Sequence, residues 1–351
     1  MFERTPLYID IGTSQIKVAE KKGETISQIG IEPLPRGAMQ AGIIHNALAV
    51  KKALLKLLKR LGVRTWRRRT VVALSGGALI IKRVQLTVGT DGASVAETVH
   101  YEAEKYFQHD ITDLYYDFYE LPHPAESPDV PVLLVGAKRE IVDRYVEIIK
   151  SCGLRAAIID CEVFSLLNML EYNYGKLEGL VCVANIGASV TQVLFIENGN
   201  YLYMRDMPAG GDGFTQALSQ QLKIPFAQAE AVKIMSMEKP VSMHPRVAKI
   251  LTETSQQFSS DMMMTIDYFF KQTDLPPHAD TLKYLFLIGG GSRINMLPRV
   301  LNQALGVQVA IINPFLKLKV SRKQRSFAER NMGFFGVLGG LLRRNLDELV
   351  L

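Results

Sequence analysis

Two stretches 175 residues apart repeat one pattern: an apolar run, a single polar side chain, a turn of glycine and hydroxyl residues, then a second apolar run. The first is Leu7-Tyr8-Ile9-Asp10-Ile11-Gly12-Thr13-Ser14, followed by Ile16 to Ala19. The second is Cys182-Val183-Ala184-Asn185-Ile186-Gly187-Ala188-Ser189, followed by Val193 to Ile196. Each predicts a β-hairpin with a polar tip. Backbone N–H groups and hydroxyls at such a tip suit phosphate oxygens, so the pattern predicts two related halves gripping one nucleotide.

Between the hairpins, Leu48, Leu54, Leu55, Leu58 and Leu61 recur at helical spacing among Lys51, Lys52, Lys56, Lys59 and Arg60, which predicts a basic amphipathic helix capped by Asn46. Strands are expected over Thr70 to Leu74 and Leu79 to Leu86, flanking Ser75-Gly76-Gly77. A helix over Ala93 to Phe107 follows the turn Thr90-Asp91-Gly92. Leu114 to Leu121 and Val132 to Ala137 read as strands on either side of a proline-rich link from Pro122 to Pro131, and Arg139 to Ser151 as a helix. A strand from Leu154 to Asp160 and a helix from Val163 to about Tyr172 close the first half. After the second hairpin come helices Gly213 to Leu222, Ala227 to Met237 and about Pro245 to Gln272, strand Tyr284 to Ile288, a helix around Asn295 to Leu305, strand Val307 to Ile312, and a closing helix Arg330 to Arg344.

Strands and helices on a repeated plan indicate an α/β protein of two related lobes. The expected division is 1–77 for the first lobe, 78–153 for a small inserted α+β subdomain, 154–178 for the rest of the first lobe, 179–329 for the second lobe, and 330–351 for a helix returning to the first.

The 351 residues, 48% hydrophobic and 22% charged, suffice for two proper cores and exclude a disordered chain. A formal charge of +6 is too mild for a dedicated nucleic-acid binder. Cys152, Cys161 and Cys182 lack the spacing of a disulfide framework or zinc site, and a reducing compartment fits them. Met1 to Pro6 is polar and leads into a strand, so no secretory segment is read and a cytosolic location is expected. The basic helix and Arg64, Arg67, Arg68 and Arg69 read as solvated faces, with attraction to an anionic membrane surface or an acidic partner as the alternative.

A third glycine element follows the apolar run Leu285 to Ile288: Gly289-Gly290-Gly291-Ser292-Arg293, leading towards a helix. It suits backbone lying against an adenine face or an anion. A dinucleotide fingerprint would need glycine at 294, where Ile294 stands, and no Walker sequence occurs, so neither a Rossmann nor a P-loop reading survives.

In their order these elements resemble the actin-like ATPase superfamily, and within it the PilM family of type IV pilus assembly proteins. Supporting stretches are Tyr8 to Gly12, Ala73-Leu74-Ser75-Gly76 into Ile80 to Arg83, Tyr101-Glu102-Ala103-Glu104-Lys105-Tyr106, Leu154 to Asp160, and Ile288 to Ser292. The resemblance implies ATP or ADP with Mg2+ in the interlobe cleft. Gly12, Thr13, Ser14 and Lys17 would face the phosphates from one lobe, and Gly187, Ala188, Ser189 and Thr191 from the other. Asp10 would hold the hydrated metal, Gly210 and Gly211 would lie near ribose and phosphate, Glu230 and Lys233 near ribose and base, and Gly289, Gly290, Gly291 and Ser292 along the adenine. It also implies a platform adaptor, peripheral to the inner membrane, that binds the cytoplasmic N-terminal segment of PilN beside Ile81, Tyr101, Lys105 and Tyr106, with other platform proteins as neighbours and self-association open.

One departure bears on chemistry. The second hairpin of the superfamily carries Asp, whereas Asn185 stands here, a poorer partner for a hard divalent cation. Glu162, entering the helix after the strand that closes the first half, is the candidate for orienting water, with a carboxylate favoured by the helix dipole as its plain reading. Hydrolysis is therefore expected to be slow or absent. The alternatives are an FtsA-like filament-forming division protein, a sugar or acetate kinase, for which no catalytic Asp is evident, and the cytoplasmic part of a related secretion platform.

Overall fold

The computed structural model describes residues 5–87, 94–124, 129–273, 275 and 281–343. The expected turn at Thr90-Asp91-Gly92, part of the proline-rich link and the last residue of the expected closing helix lie outside them.

Two sheets are built on one plan. In the first, β1 (Leu7–Ile11), β2 (Gln15–Lys22) and β3 (Thr25–Pro33) form an antiparallel meander, and β6 (Arg68–Leu74) and β10 (Leu154–Cys161) add in parallel on the far side of β1. A two-residue ladder of β4 (Met39–Gln40) with β5 (Ile43–Ile44) lies in the connection between β3 and the helix that follows. In the second sheet, β11 (Leu180–Ile186), β12 (Thr191–Glu197) and β13 (Asn200–Met207) form the meander, and β14 (Leu282–Ile288) and β15 (Gln308–Ile311) add in parallel beside β11. The spatial order third-second-first-fourth-fifth is common to both, as a duplicated chain requires.

All five residues of β1 are buried, because helices cover both faces of the sheet. Alternation along the strand divides them. Leu7, Ile9 and Ile11 pack with α1 (Ala47–Arg60) and α3 (Arg139–Ser151) on the outer face. Tyr8 turns inward, into a core shared with Val181 and Val183 of the second sheet. Between the sheets lie α4 (Glu162–Tyr174) and the helix Gly336–Leu341, supplying Leu166, Met169, Leu338 and Leu341 to that shared core. The outer face of the second sheet packs on α5 (Gly211–Leu222), α7 (Pro245–Lys271) and the helix Leu297–Leu305 through Phe214, Phe258, Ile266 and Leu301. The two central helices approach so closely that a Cβ at Gly340 would stand 1.6 Å from the backbone oxygen of Ser165.

A third, three-stranded antiparallel sheet has β9 (Asp129–Lys138) between β7 (Leu79–Thr87) and β8 (Leu114–Glu120). The helix α2 (Val95–Phe107) covers one face, its N-terminus closed by a reciprocal capping box of Ser94 and Glu97.

Several expectations change. The helix α3, expected within the small subdomain, sends Tyr145, Ile148 and Ile149 into the first-lobe core. The chain rejoins the first sheet at β16 (Lys319–Val320), beside Thr25 and Ile26, ahead of the return expected at 330. The expected closing helix is a helix Arg322–Asn331, a 3-10 turn Met332–Phe335 and the short helix Gly336–Leu341. In α1, Asn46 caps as expected, accepting from the Ala49 N–H at 3.0 Å. The buried stripe is Val50, Ala53, Leu54, Leu57 and Leu58, with Leu48 and Leu55 exposed. Its basic side chains are only partly free, since Lys56 and Arg60 both reach the buried Glu32 at 2.5 Å.

Candidate nucleotide cleft

Strand alternation that turns Tyr8 inward also turns Asp10 inward, at the carboxyl end of the central strand, where ligands of open α/β sheets collect. Asn185 occupies the equivalent place on β11. The pairing register repeats too: Asp10 faces Lys17 across the first hairpin and Asn185 faces Gln192 across the second. Both tips close alike, the Gly12 N–H donating to Gln15 O at 3.1 Å and the Gly187 N–H to Val190 O at 3.0 Å. What differs is chemistry. Lys17 Nζ meets Asp10 Oδ2 at 2.8 Å, an ion pair, whereas Asn185 Nδ2 donates to Gln192 Oε1 at 2.9 Å, an amide pair.

Between the tips opens a cleft of about 500 Å³. Asp10, Gly12, Thr13, Ser14 and Lys17 line it from the first lobe, with Glu162 at the start of α4. Opposite stand Asn185, Gly187, Ala188, Gly211, Glu230, Lys233, Gly289, Gly290 and Gly291. These expected residues are brought together.

Four others are not at its wall. Thr191 is fully buried and its Oγ1 donates to Ala209 O at 2.7 Å. Ser292 is also fully buried, its hydroxyl donating to Gly289 O at 2.7 Å. Gly210 packs α5 onto the second hairpin, where a Cβ would stand 2.6 Å from Ala188 O. Ser189 is half-buried but does not line the cleft.

Glu162 joins the lobes. Its Oε1 accepts from Asn185 Nδ2 at 3.0 Å and its Oε2 from Gln192 Nε2 at 3.3 Å. Burial, with the nearby Asp10 charge, pushes its carboxyl up to about 7, against the opposing pull of Lys17 and the Ser75 hydroxyl. Nearby, burial also raises the pKa of Asp206 on β13, and its Oδ1 is buried without a hydrogen-bond partner among the described residues. Sequence reasoning missed Gln192 and Asp206; the hairpin register, which sets Gln192 opposite Asn185 and Asp206 opposite Gln192, was the signal available.

On the second lobe, the buried Lys233 is held by Glu230 Oε2 at 2.7 Å, Thr215 Oγ1 at 2.8 Å and Gly211 O at 2.9 Å. This network ties α6 (Phe226–Glu238) to the start of α5 and leaves Glu230 half-exposed towards the cleft. The glycine loop follows β14. Gly289 has φ 87° and donates its N–H to Gly333 O at 2.8 Å; a Cβ there would meet Ile186 O at 2.4 Å. Phe334 and Arg293 add an aromatic and a cationic side chain at the same wall, the guanidinium 5.3 Å from the ring centroid.

The residues expected to receive a partner peptide separate. Ile81 lies on the face of the small sheet that packs against the central core, while Tyr106 packs on the opposite face, with α2. Tyr101 is 84% exposed on α2, and Tyr106 donates its hydroxyl to Glu102 Oε2 at 3.0 Å. The one-residue offset between Ile80 and Ile81 decides which face each joins.

Among the described residues no three His, Cys, Asp or Glu side chains gather as a metal site, and no helix is long and apolar enough to cross a membrane.

The family described as type IV pilus assembly protein PilM matches residues 8–345. Among solved structures, a chain of a PilM-PilN type IV pilus biogenesis complex superposes with a TM-score of 0.80 at 24% identity, covering 97% of this chain and 98% of that one. MreB5 of Spiroplasma citri bound to ADP superposes at 0.53 with 12% identity, covering 96% and 94%. The cell division protein FtsA of Staphylococcus epidermidis is 24% identical over 267 residues, 66% of this chain and 55% of that relative, so the chain spans about half its length. The fold shared with these proteins is actin-like.

Proposed function

The chain belongs to the PilM family of type IV pilus assembly proteins, and from that premise we propose that it is a nucleotide-binding adaptor of the pilus inner-membrane platform that turns over its nucleotide slowly or not at all. The observation that carries this reading is the facing of two equivalent hairpin tips across one cleft, with a glycine loop at its side. The N–H groups and hydroxyls of Gly12 to Ser14 and the tip at Gly187 and Ala188 would take phosphate oxygens. Glu230, Lys233 and the wall Gly289 to Gly291 would take ribose and base. ADP in the structurally similar MreB5 supports an adenine nucleotide.

A magnesium ion fits this donor set through water more than through direct ligation. Asp10 is already paired with Lys17, Asn185 brings no charge, and Asp206 offers a buried carboxylate oxygen with no hydrogen-bond partner among the described residues. When bound, the metal would neutralise phosphate charge. Slow turnover follows from Glu162, whose two oxygens are each held by an amide of the second lobe instead of being free to orient water.

The membrane-side partner would be the N-terminal cytoplasmic segment of PilN, the protein named with PilM in the similar complex. Among the described residues β7 is an edge strand of the small sheet, and Tyr101 and Lys105 on α2 are exposed, so an extended segment would find backbone partners and side-chain anchors there. Other platform proteins would then lie close by, and the inner membrane would be reached through them.

Titration calorimetry on nucleotide-stripped protein tests the reading. ATP and ADP should bind, and Asp10→Ala should weaken them. No heat from either nucleotide at millimolar concentration would overturn it.

A further inference from the structure

We propose that the turn from Thr65 to Arg68, between α1 and β6, is an anchor for an anionic lipid surface, with Trp66 entering the headgroup layer and Arg64 and Arg67 holding lipid phosphates. This is independent of the nucleotide and PilN readings.

The turn is rigid. The Arg68 N–H donates to Thr65 O at 2.9 Å, and the Arg67 N–H to Gly153 O at 2.9 Å, which pins the tip to the end of α3. Arg67 is held at φ 47°, a left-handed conformation that a long side chain seldom adopts. The geometry presents the chain's one tryptophan outward, 78% exposed. An indole left so exposed is unusual on a monomer's surface.

The surroundings are cationic by sequence and by contact. Between Glu32 and Asp91 there is no Asp or Glu, against twelve lysines and arginines. Several of those are spent internally: Lys56 and Arg60 on Glu32, Arg68 on Glu20 at 2.6 Å. Arg64, Arg67 and Lys59 are exposed and have no carboxylate partner among the described residues, and Lys150 stands in the last turn of α3, next to Gly153. The nearest acid on α3, Glu147, sits a turn earlier. These four cations and the indole thus share one end of the first lobe.

The shape selects the partner. Trp66 stands outward at the tip of a convex turn, so a protein partner would have to supply the pocket for it. A bilayer accepts a convex tip, since tryptophan favours the interface and each lysine or arginine near an anionic leaflet adds attraction.

Because Trp66 is the single tryptophan, its own fluorescence reports the contact. With the full chain, vesicles containing phosphatidylglycerol should shift the emission to shorter wavelength and co-sediment the protein, with both effects fading as salt rises. Neutral phosphatidylcholine vesicles should do neither. Arg64→Glu and Arg67→Glu should each lower vesicle affinity about fivefold or more, as expected for one cation at such a surface. Trp66→Ala should lower co-sedimentation while leaving nucleotide affinity and thermal unfolding unchanged; should that variant misfold, Trp66→Phe takes its place. No anionic vesicle binding at low salt, equal binding to neutral vesicles, or binding untouched by these substitutions overturns the proposal. An emission shift with soluble polyglutamate but not with vesicles overturns it in favour of an acidic protein partner.

Discussion

Asn185 reaches across the cleft to Glu162, its side-chain amide donating to Oε1 at 3.0 Å, and so occupies the place where a carboxylate would repel. Asn185→Asp removes that donor and sets a second negative charge against Glu162, with Asp10 and Asp206 already nearby. Without metal, the variant should melt at lower temperature than the wild type. With magnesium and nucleotide the loss should shrink or reverse, because a new carboxylate favours the cation. Thermal unfolding in four conditions, with and without metal and nucleotide, checks this. A variant as stable as wild type in the absence of metal would show that the Asn185–Glu162 contact carries no weight.

Glu162 itself makes stability depend on pH. Its folded pKa, about 7, lies above the ordinary 4.5, so between those values the folded state holds a proton that the unfolded state has lost. Stability from this group is then full below about 4.5, falls as pH rises towards 7, and levels off above. Glu20 runs oppositely: burial pushes its carboxyl up, but hydrogen bonding and charge from Arg68 prevail and hold it below the usual value, so its contribution is lost as pH falls. Denaturant titrations from pH 4.5 to 7 should show a downward slope in wild type that flattens in Glu162→Gln. An unchanged slope would place the titration elsewhere.

Much of this site was legible in the sequence, because the features that build it are local. A polar residue before a glycine turn, repeated at matching points, fixes two hairpins, and the period of two puts Asp10 and Asn185 on inward faces. Contacts between segments were not legible. Thr191 reads as a phosphate hydroxyl until Ala209 O is seen to hold it, and the bond from Gln192 to Glu162 depends on how two lobes meet. The placement of α3 was missed because its apolar stripe fits either the small sheet or the first-lobe sheet; only the packing of Tyr145, with its hydroxyl on Gly42 O at 2.9 Å, selects the latter.

The crossing of the two central helices has its own requirement. A Cβ at Gly340 would stand 1.6 Å from Ser165 O, and one at Gly336 would stand 2.7 Å from Cγ1 of Ile288. Backbone at the first contact cannot swing away as a side chain can. Gly340→Ala should therefore cost about 3 kcal/mol, at the upper end for overpacked sites, while Gly62→Ala, with no atom of the described residues within 4 Å of its Cβ, reports the separate cost of a positive φ. Chemical denaturation compares the two. Equal, small losses would mean that the helices can part without penalty.

The small sheet gives a test of partner binding in which fold and contact separate. Tyr101 is exposed on α2, so Tyr101→Asp should leave unfolding unchanged while weakening capture of the PilN N-terminal segment, as loss of an aromatic anchor does in small interfaces. Ile81 faces the other way, against the core cluster that includes Leu133 and Tyr201. Ile81→Asp would bury a carboxylate there and should destabilise the protein by roughly 2 kcal/mol or more, lowering capture only through unfolding. Pull-down with the segment, paired with melting curves, distinguishes the two effects. Undiminished capture by Tyr101→Asp would move the site off α2, and loss of capture by a fully folded Ile81→Asp would move it to the inner face of the sheet.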